Sequence, residues 1–93
     1  MRLSQFEQDS IRKAVYDKDP SAKIYLFGSR VDDMKRGGDI DLLIFSQTLT
    51  KIDGLAIRRR ICDAIGEQKI DLVFAKDTSA PFVRIALAEG VLL

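Results

Sequence analysis

Two aspartates two positions apart, Asp39 and Asp41, open the apolar run Leu42 to Phe45. On a strand, residues i and i+2 leave the same face with backbone positions roughly 7 Å apart, so two such carboxylates can lean together over one cation. Without a cation they repel, and one of them has its pKa raised. Magnesium relieves that repulsion: it takes oxygen ligands, accepts one or two carboxylates and completes its shell with water and phosphate oxygens. An isolated Asp-x-Asp is more often only the solvated start of a strand. What strengthens the chemical reading is Gly28-Ser29, at the end of an earlier apolar run, Lys23 to Phe27. A strand-to-helix junction built of small residues leaves backbone amides unpaired and aims the positive end of a helix dipole at an approaching phosphate. Taken singly, Gly28 reads as a tight turn and Ser29 as a helix N-cap.

The elements that must position these residues follow from pattern. Ser4 and Glu7 form a capping box, and Leu3, Phe6, Ile11, Ala14 and Val15 gather on one stripe, which predicts a helix over Gln5 to Tyr16. A polar stretch with Pro20 ends it before the strand Lys23 to Phe27. From Ser29 to Arg36 the order is a capping hydroxyl, the acids Asp32 and Asp33, then Lys35 and Arg36, the charge gradient of a short helix, and Gly37 and Gly38 terminate it. Asp39 to Phe45 reads as a second strand, apolar on both faces in its later half and therefore central. Leu55, Ile57, Ile61, Ala64 and Ile65 mark a third helix closed by Gly66, and Ile70 to Ala75 a third strand. Ser79 and Pro81 open a last helix that runs through Glu89 to Gly90. The order αβαβαβα describes an α/β or α+β domain with a three-stranded sheet flanked by helices. No repeat, linker or low-complexity segment divides residues 1–93, which read as a single domain.

At 93 residues, the chain supports one modest core and no separate recognition domain. Its composition, 46% apolar and 31% charged, is that of a packed soluble protein. A formal charge of +1 supplies little long-range attraction for a polynucleotide, so no strong nucleic-acid binding is expected. There is no histidine, which excludes Ser-His-Asp and Cys-His nucleophiles, imidazole zinc sites and histidine acid-base catalysis. The single Cys62 reads as a buried small hydrophobe in a reducing compartment. The opening MRLSQFEQDS has neither a signal-peptide core nor a membrane span, and a cytoplasmic location is expected.

The string FGSRVDDMKRGGDIDLLIF places the glycine-serine junction and the paired aspartates on neighbouring elements. It resembles the signature of the DNA polymerase β-like nucleotidyltransferase superfamily, a Gly-Ser pair, a short spacer and Asp-x-Asp; here the spacer is the nine residues Arg30 to Gly38. Within that superfamily the length and ending resemble the minimal nucleotidyltransferases. The resemblance implies the polymerase β-like core with a mixed sheet, and a third carboxylate on a later strand, for which Asp71 in KIDLVF is well placed. It implies two magnesium ions held by Asp39, Asp41 and Asp71, ATP as substrate, and Gly28, Ser29 and Arg30 at its phosphates. It also implies transfer of AMP to a hydroxyl, with a HEPN-domain toxin as partner and this chain as its antitoxin. The chain departs from the family's commonest wording at Val31, Asp32 and Asp33, where small and basic residues are usual. Arg30 either reaches a phosphate bidentately or sits on the surface of the short helix.

A rival from another class is a protein that neutralises its partner by contact alone, its site vestigial or used only to sense nucleotide. Arg58, Arg59 and Arg60 read as a solvated helix face with Arg59 paired to Asp63, or else as a partner surface. Phe82, Val83, Ile85, Ala86, Leu87 and Ala88, with Val91, Leu92 and Leu93 after them, form an apolar ending that the core or another protein must cover.

Overall fold

A computed structural model of the chain describes residues 1–34 and 38–93. Helix α1 spans Gln5–Tyr16 and begins with the expected capping box, Ser4 Oγ accepting from Glu7 N at 3.1 Å and Glu7 Oε1 from Ser4 N at 2.9 Å. Strand β1 (Lys23–Phe27) runs into a single 3-10 turn, Gly28–Val31, and β2 follows at Ile40–Phe45. Helix α2 (Lys51–Ile65) carries the chain to β3 (Ile70–Ala75), α3 (Pro81–Glu89) and a two-residue strand β4 (Val91–Leu92).

The sheet has four strands in the order β3-β2-β1-β4, not the three expected. Strand β1 lies antiparallel to both β2 and β4, whereas β2 and β3 are parallel with α2 as the crossover that a parallel pair needs. The fourth strand is formed by part of the apolar ending, with Leu26 opposite Val91 and Leu93 N donating to Ile24 O at 2.9 Å. Two residues are too few for an alternating pattern to show in sequence.

The expected helix Ser29–Arg36 is also corrected. Helical geometry ends at Val31, because Asp32 is extended (φ −86°, ψ 111°) and its carboxylate accepts from Met34 N at 2.8 Å. An aspartate that bonds the amide two residues on offers the backbone a turn in place of a helix. Lys35, Arg36 and Gly37, in the second half of that expectation, lie outside the described residues.

Alternation sorts the sheet into two faces. Ile24, Leu26, Ile40, Leu42 and Ile44 are fully buried in one cluster with Ile11, Ala14 and Val15 of α1 and Ile57 and Ile61 of α2. On the opposite face Tyr25, Phe27, Leu43, Phe45 and Val73 pack with Val83 and Ala86 of α3. Asp41 and Asp71 belong to that second face by their register. Three residues expected to be covered are not: Phe6 is 61% exposed, Leu55 is 67% exposed and Cys62 is only half-buried. Arg59 forms no ion pair with Asp63 among the described residues; in this helix it is Arg60 that is paired, with Asp17.

Candidate active site

The site grows out of strand pairing. In the antiparallel register of β1 and β2, Phe27 faces Asp41, and in the parallel register of β2 and β3, Asp41 faces Asp71. Three neighbouring strands therefore bring the end of β1, Asp41 and Asp71 to one corner of the sheet. Neighbouring strands stand about 4.8 Å apart, so the two aspartate side chains share one small volume. Burial raises the Asp41 pKa, and the Asp71 carboxylate beside it, near enough to share a proton, adds to the rise, as does the charge of Asp39; Lys69 works the other way.

Asp39 precedes β2 by one residue, and its carboxylate lies 3.5 Å from Lys69 Nζ. Ile40 N donates to Lys69 O at 3.0 Å, which fixes this approach. Asp41 and Asp71 are thus brought together, while Asp39 stands beside them with a lysine as its counter-ion. Among the described residues, no three acidic or cysteine side chains form a group that closes on one metal ion. The donors that do converge are the carboxylate oxygens of Asp41 and Asp71, whose crowding the Lys69 charge offsets only in part, a set that fits a hard divalent cation such as magnesium.

Gly28 is built into this corner. Its backbone is left-handed (φ +74°), and a Cβ there would stand 2.3 Å from Asp41 Oδ2 and 3.1 Å from its Cγ. The Asp41 carboxylate is therefore seated where any other residue would put its side chain, which is a stronger requirement for glycine than a tight turn alone. Ser29 is the second residue of the 3-10 turn and not its cap, a position held by Phe27 without a side-chain bond. The Ser29 hydroxyl lies against Gly38, where a Cβ would come within 2.3 Å of Oγ. Gly38 too is left-handed (φ +92°), so the two ends of the spacer meet through a glycine and a small hydroxyl.

Arg30 is half-buried, and its guanidinium donates to Gly38 O (Nε, 3.1 Å), Arg2 O (Nη1, 2.9 Å) and Gln68 Oε1 (Nη2, 3.0 Å). Neither alternative drawn from sequence anticipates these three bonds, nor Lys69 beside Asp39. Lys69 has a signal, two positions before Asp71, that acquires meaning only once β3 is paired with β2. Arg2 has none. A cavity of about 610 Å³ at the far ends of β1 and β2, lined by Asp19, Lys23, Tyr25, Phe45 and Leu87 among others, contains none of these residues.

A mixed sheet with a glycine-serine turn at one strand end and aspartates on the next two strands in line defines the polymerase β-like class of fold. Residues 9–93 match the family described as Polymerase beta, Nucleotidyltransferase, and the chain belongs to it. No relative emerges among curated protein sequences. Among solved structures, the chain is similar to one in a tyrosine-to-alanine mutant of the toxin-antitoxin complex MntA-HpeT, at 26% identity and a TM-score of 0.71, covering 92% of this chain and 69% of that one. It is similar as well to one in the tri-AMPylated Shewanella oneidensis HEPN toxin in complex with MNT antitoxin, at 25% identity and a TM-score of 0.72, covering 97% and 71%. A mutant of the MntA-HpeT complex with two aspartate-to-glutamate changes shares the fold at 24% identity and a TM-score of 0.74. All three neighbours come from toxin-antitoxin complexes, and in one of them the toxin is a HEPN protein and the antitoxin an MNT protein. No helix among the described residues is long and apolar enough to cross a membrane.

Proposed function

We propose that this protein is the antitoxin of a toxin-antitoxin pair and transfers AMP from ATP to a hydroxyl of a HEPN-domain partner. The observation that carries the reading is Asp41, its pKa raised by burial and by Asp71, seated on the bare Cα of Gly28. A fold under no chemical demand gains nothing from crowding carboxylates at a sheet corner. The similarity to a complex whose toxin is tri-AMPylated supports AMP as the group moved and a protein as its acceptor.

In this reading, Asp39, Asp41 and Asp71 hold two magnesium ions, and Gly28 and Ser29 orient the nucleotide phosphates. Magnesium, when bound, supplies positive charge beside the attacking hydroxyl and the departing pyrophosphate. Asp71, on the exposed edge strand, takes the proton of the attacking hydroxyl. The absence of a side chain at residue 28 lets the Asp41 carboxylate, and a cation held by it, lie against the turn that orients the phosphates. The exposed Phe82 and Ile85 on α3, 52% and 60% accessible, support a protein partner over a free small molecule as acceptor.

Incubation with ATP labelled at the α-phosphate, magnesium and a HEPN partner tests the proposal. Label on the partner that vanishes with Asp39→Asn or Asp41→Asn supports the enzyme. A second reading, neutralisation by contact alone with the site vestigial or only sensing nucleotide, is favoured by the pairing of Asp39 with Lys69. It predicts a toxin silenced equally by wild type and both variants, with no label transferred.

A further inference from the structure

We infer that Arg2, far outside the Gly-Ser signature, is a positioning residue that holds the phosphate turn in shape by bracing it from the amino-terminal segment. This rests on the assignment of Gly28 and Ser29 to nucleotide phosphates. The guanidinium of Arg2 spans the turn as a fork: Nη2 donates to Ser29 O at 2.8 Å and Nε to Asp32 O at 2.9 Å. Those two carbonyls stand at the start and the end of the turn's exit, and Ser29 O also accepts Asp32 N at 3.2 Å, the bond that closes the turn. The backbone of Arg2 completes the brace, its N donating to Arg30 O at 2.7 Å and its O accepting from Arg30 Nη1 at 2.9 Å. Residues 2 and 30 are therefore bonded reciprocally, backbone to backbone and side chain to backbone.

The brace is anchored at both ends. Leu3, the next residue, is buried in the main core, 7% exposed, and Arg30 is tied through Gln68 to Glu7 of α1, Gln68 Nε2 donating to Glu7 Oε2 at 3.3 Å. The turn needs such support, since it is only four residues long and Asp32 leaves it extended. A 3-10 turn has poor bond geometry and little stability of its own. Lysine cannot replace Arg2, because one terminal ammonium does not reproduce a planar fork across two carbonyls.

Arg2→Lys, Arg2→Ala and, as a control on the following helix α1, Arg12→Lys are compared by hydrogen-deuterium exchange and by calorimetric titration with ATP and magnesium. Arg2→Lys is expected to speed exchange in the peptide covering residues 26–34 about tenfold, the ratio that the loss of one net hydrogen bond produces. The same variant weakens magnesium-dependent ATP binding about tenfold, with the thermal midpoint close to wild type, and Arg12→Lys changes neither. Wild-type exchange in Arg2→Lys overturns the inference, and so does faster exchange with undiminished affinity for ATP. Arg2→Ala reports the full loss of the brace, and if it fails to fold the lysine variant still decides. Absence of ATP binding by the wild type refutes the phosphate assignment instead, and the exchange measurement then judges the brace by itself.

Discussion

Replacing Gly28 with alanine tests how tightly the glycine and Asp41 are coupled. The φ of +74° is a left-handed conformation that costs an L-residue about 1–2 kcal/mol. The new Cβ also meets Asp41 Oδ2 at 2.3 Å, so the carboxylate must move off its seat and lose its packing, a further ~1 kcal/mol. Gly28→Ala alone therefore destabilises by about 2–3 kcal/mol, which for a domain this small lowers the melting midpoint by roughly 10–20 °C. In an Asp41→Ala background the only Asp41 atom left near the new methyl is Cβ, at 3.4 Å, an ordinary contact. There the same substitution should cost only the backbone component, about 1–2 kcal/mol, leaving a coupling of ~1 kcal/mol. Urea unfolding of wild type, both single variants and the double variant measures this cycle directly. Equal costs of Gly28→Ala in the two backgrounds would show that the carboxylate does not rest on the glycine, and the reasoning about this corner would fail.

Asp41→Asn should stabilise the metal-free protein at neutral pH by ~0.5 kcal/mol, the size of a like-charge cross-strand pair, read as a rise of a few degrees in melting midpoint. The sign follows from linkage. A carboxylate whose folded pKa is raised contributes stability below its unfolded value, lost as pH climbs through the folded one, so the gap between variant and wild type should close on acidification toward pH 4. A gap that widens in acid contradicts the raised pKa. Ile44→Ala empties a fully buried site between the sheet and helices α1 and α2 and should lower unfolding free energy by about 2–5 kcal/mol in denaturant titrations. Ser4→Ala removes the capping box of α1 and should cost about 1 kcal/mol, seen in the same titrations, with an unchanged result arguing that the box does not hold the helix.

Much of the framework can be read from local pattern. The capping box at Ser4, the five-residue run ending at Phe27 and the stop at Gly66 all act within a few residues of the feature they predict, and α1, β1 and β3 have the boundaries expected of them. The misses are places where a side-chain turn, a distant strand partner or the arc that the sheet covers decides against the helical or apolar pattern. Asp32 reads as a first-turn acid of a helix, yet its side chain captures Met34 N and the helix stops. Val91 and Leu92 read as an apolar tail until the edge of β1 gives them a partner. Leu55 and Phe6 match the helical period but fall outside the arc that the sheet covers. At the site, spacing within one strand is visible in the sequence, so Asp39 and Asp41 are found by inspection. The meeting of Asp41 with Asp71 needs the parallel register of β2 and β3, and Lys69 reaches Asp39 only through that same register. The role of Arg2 depends on a contact spanning 27 residues, for which no local pattern exists.

Calorimetric titration of the protein with ATP, with and without magnesium, tests most directly whether the acidic corner serves a metal-bound nucleotide. The account predicts binding by wild type that requires magnesium and disappears in Asp41→Asn while that variant remains folded. ATP binding of equal strength without magnesium, or undiminished in Asp41→Asn, contradicts it.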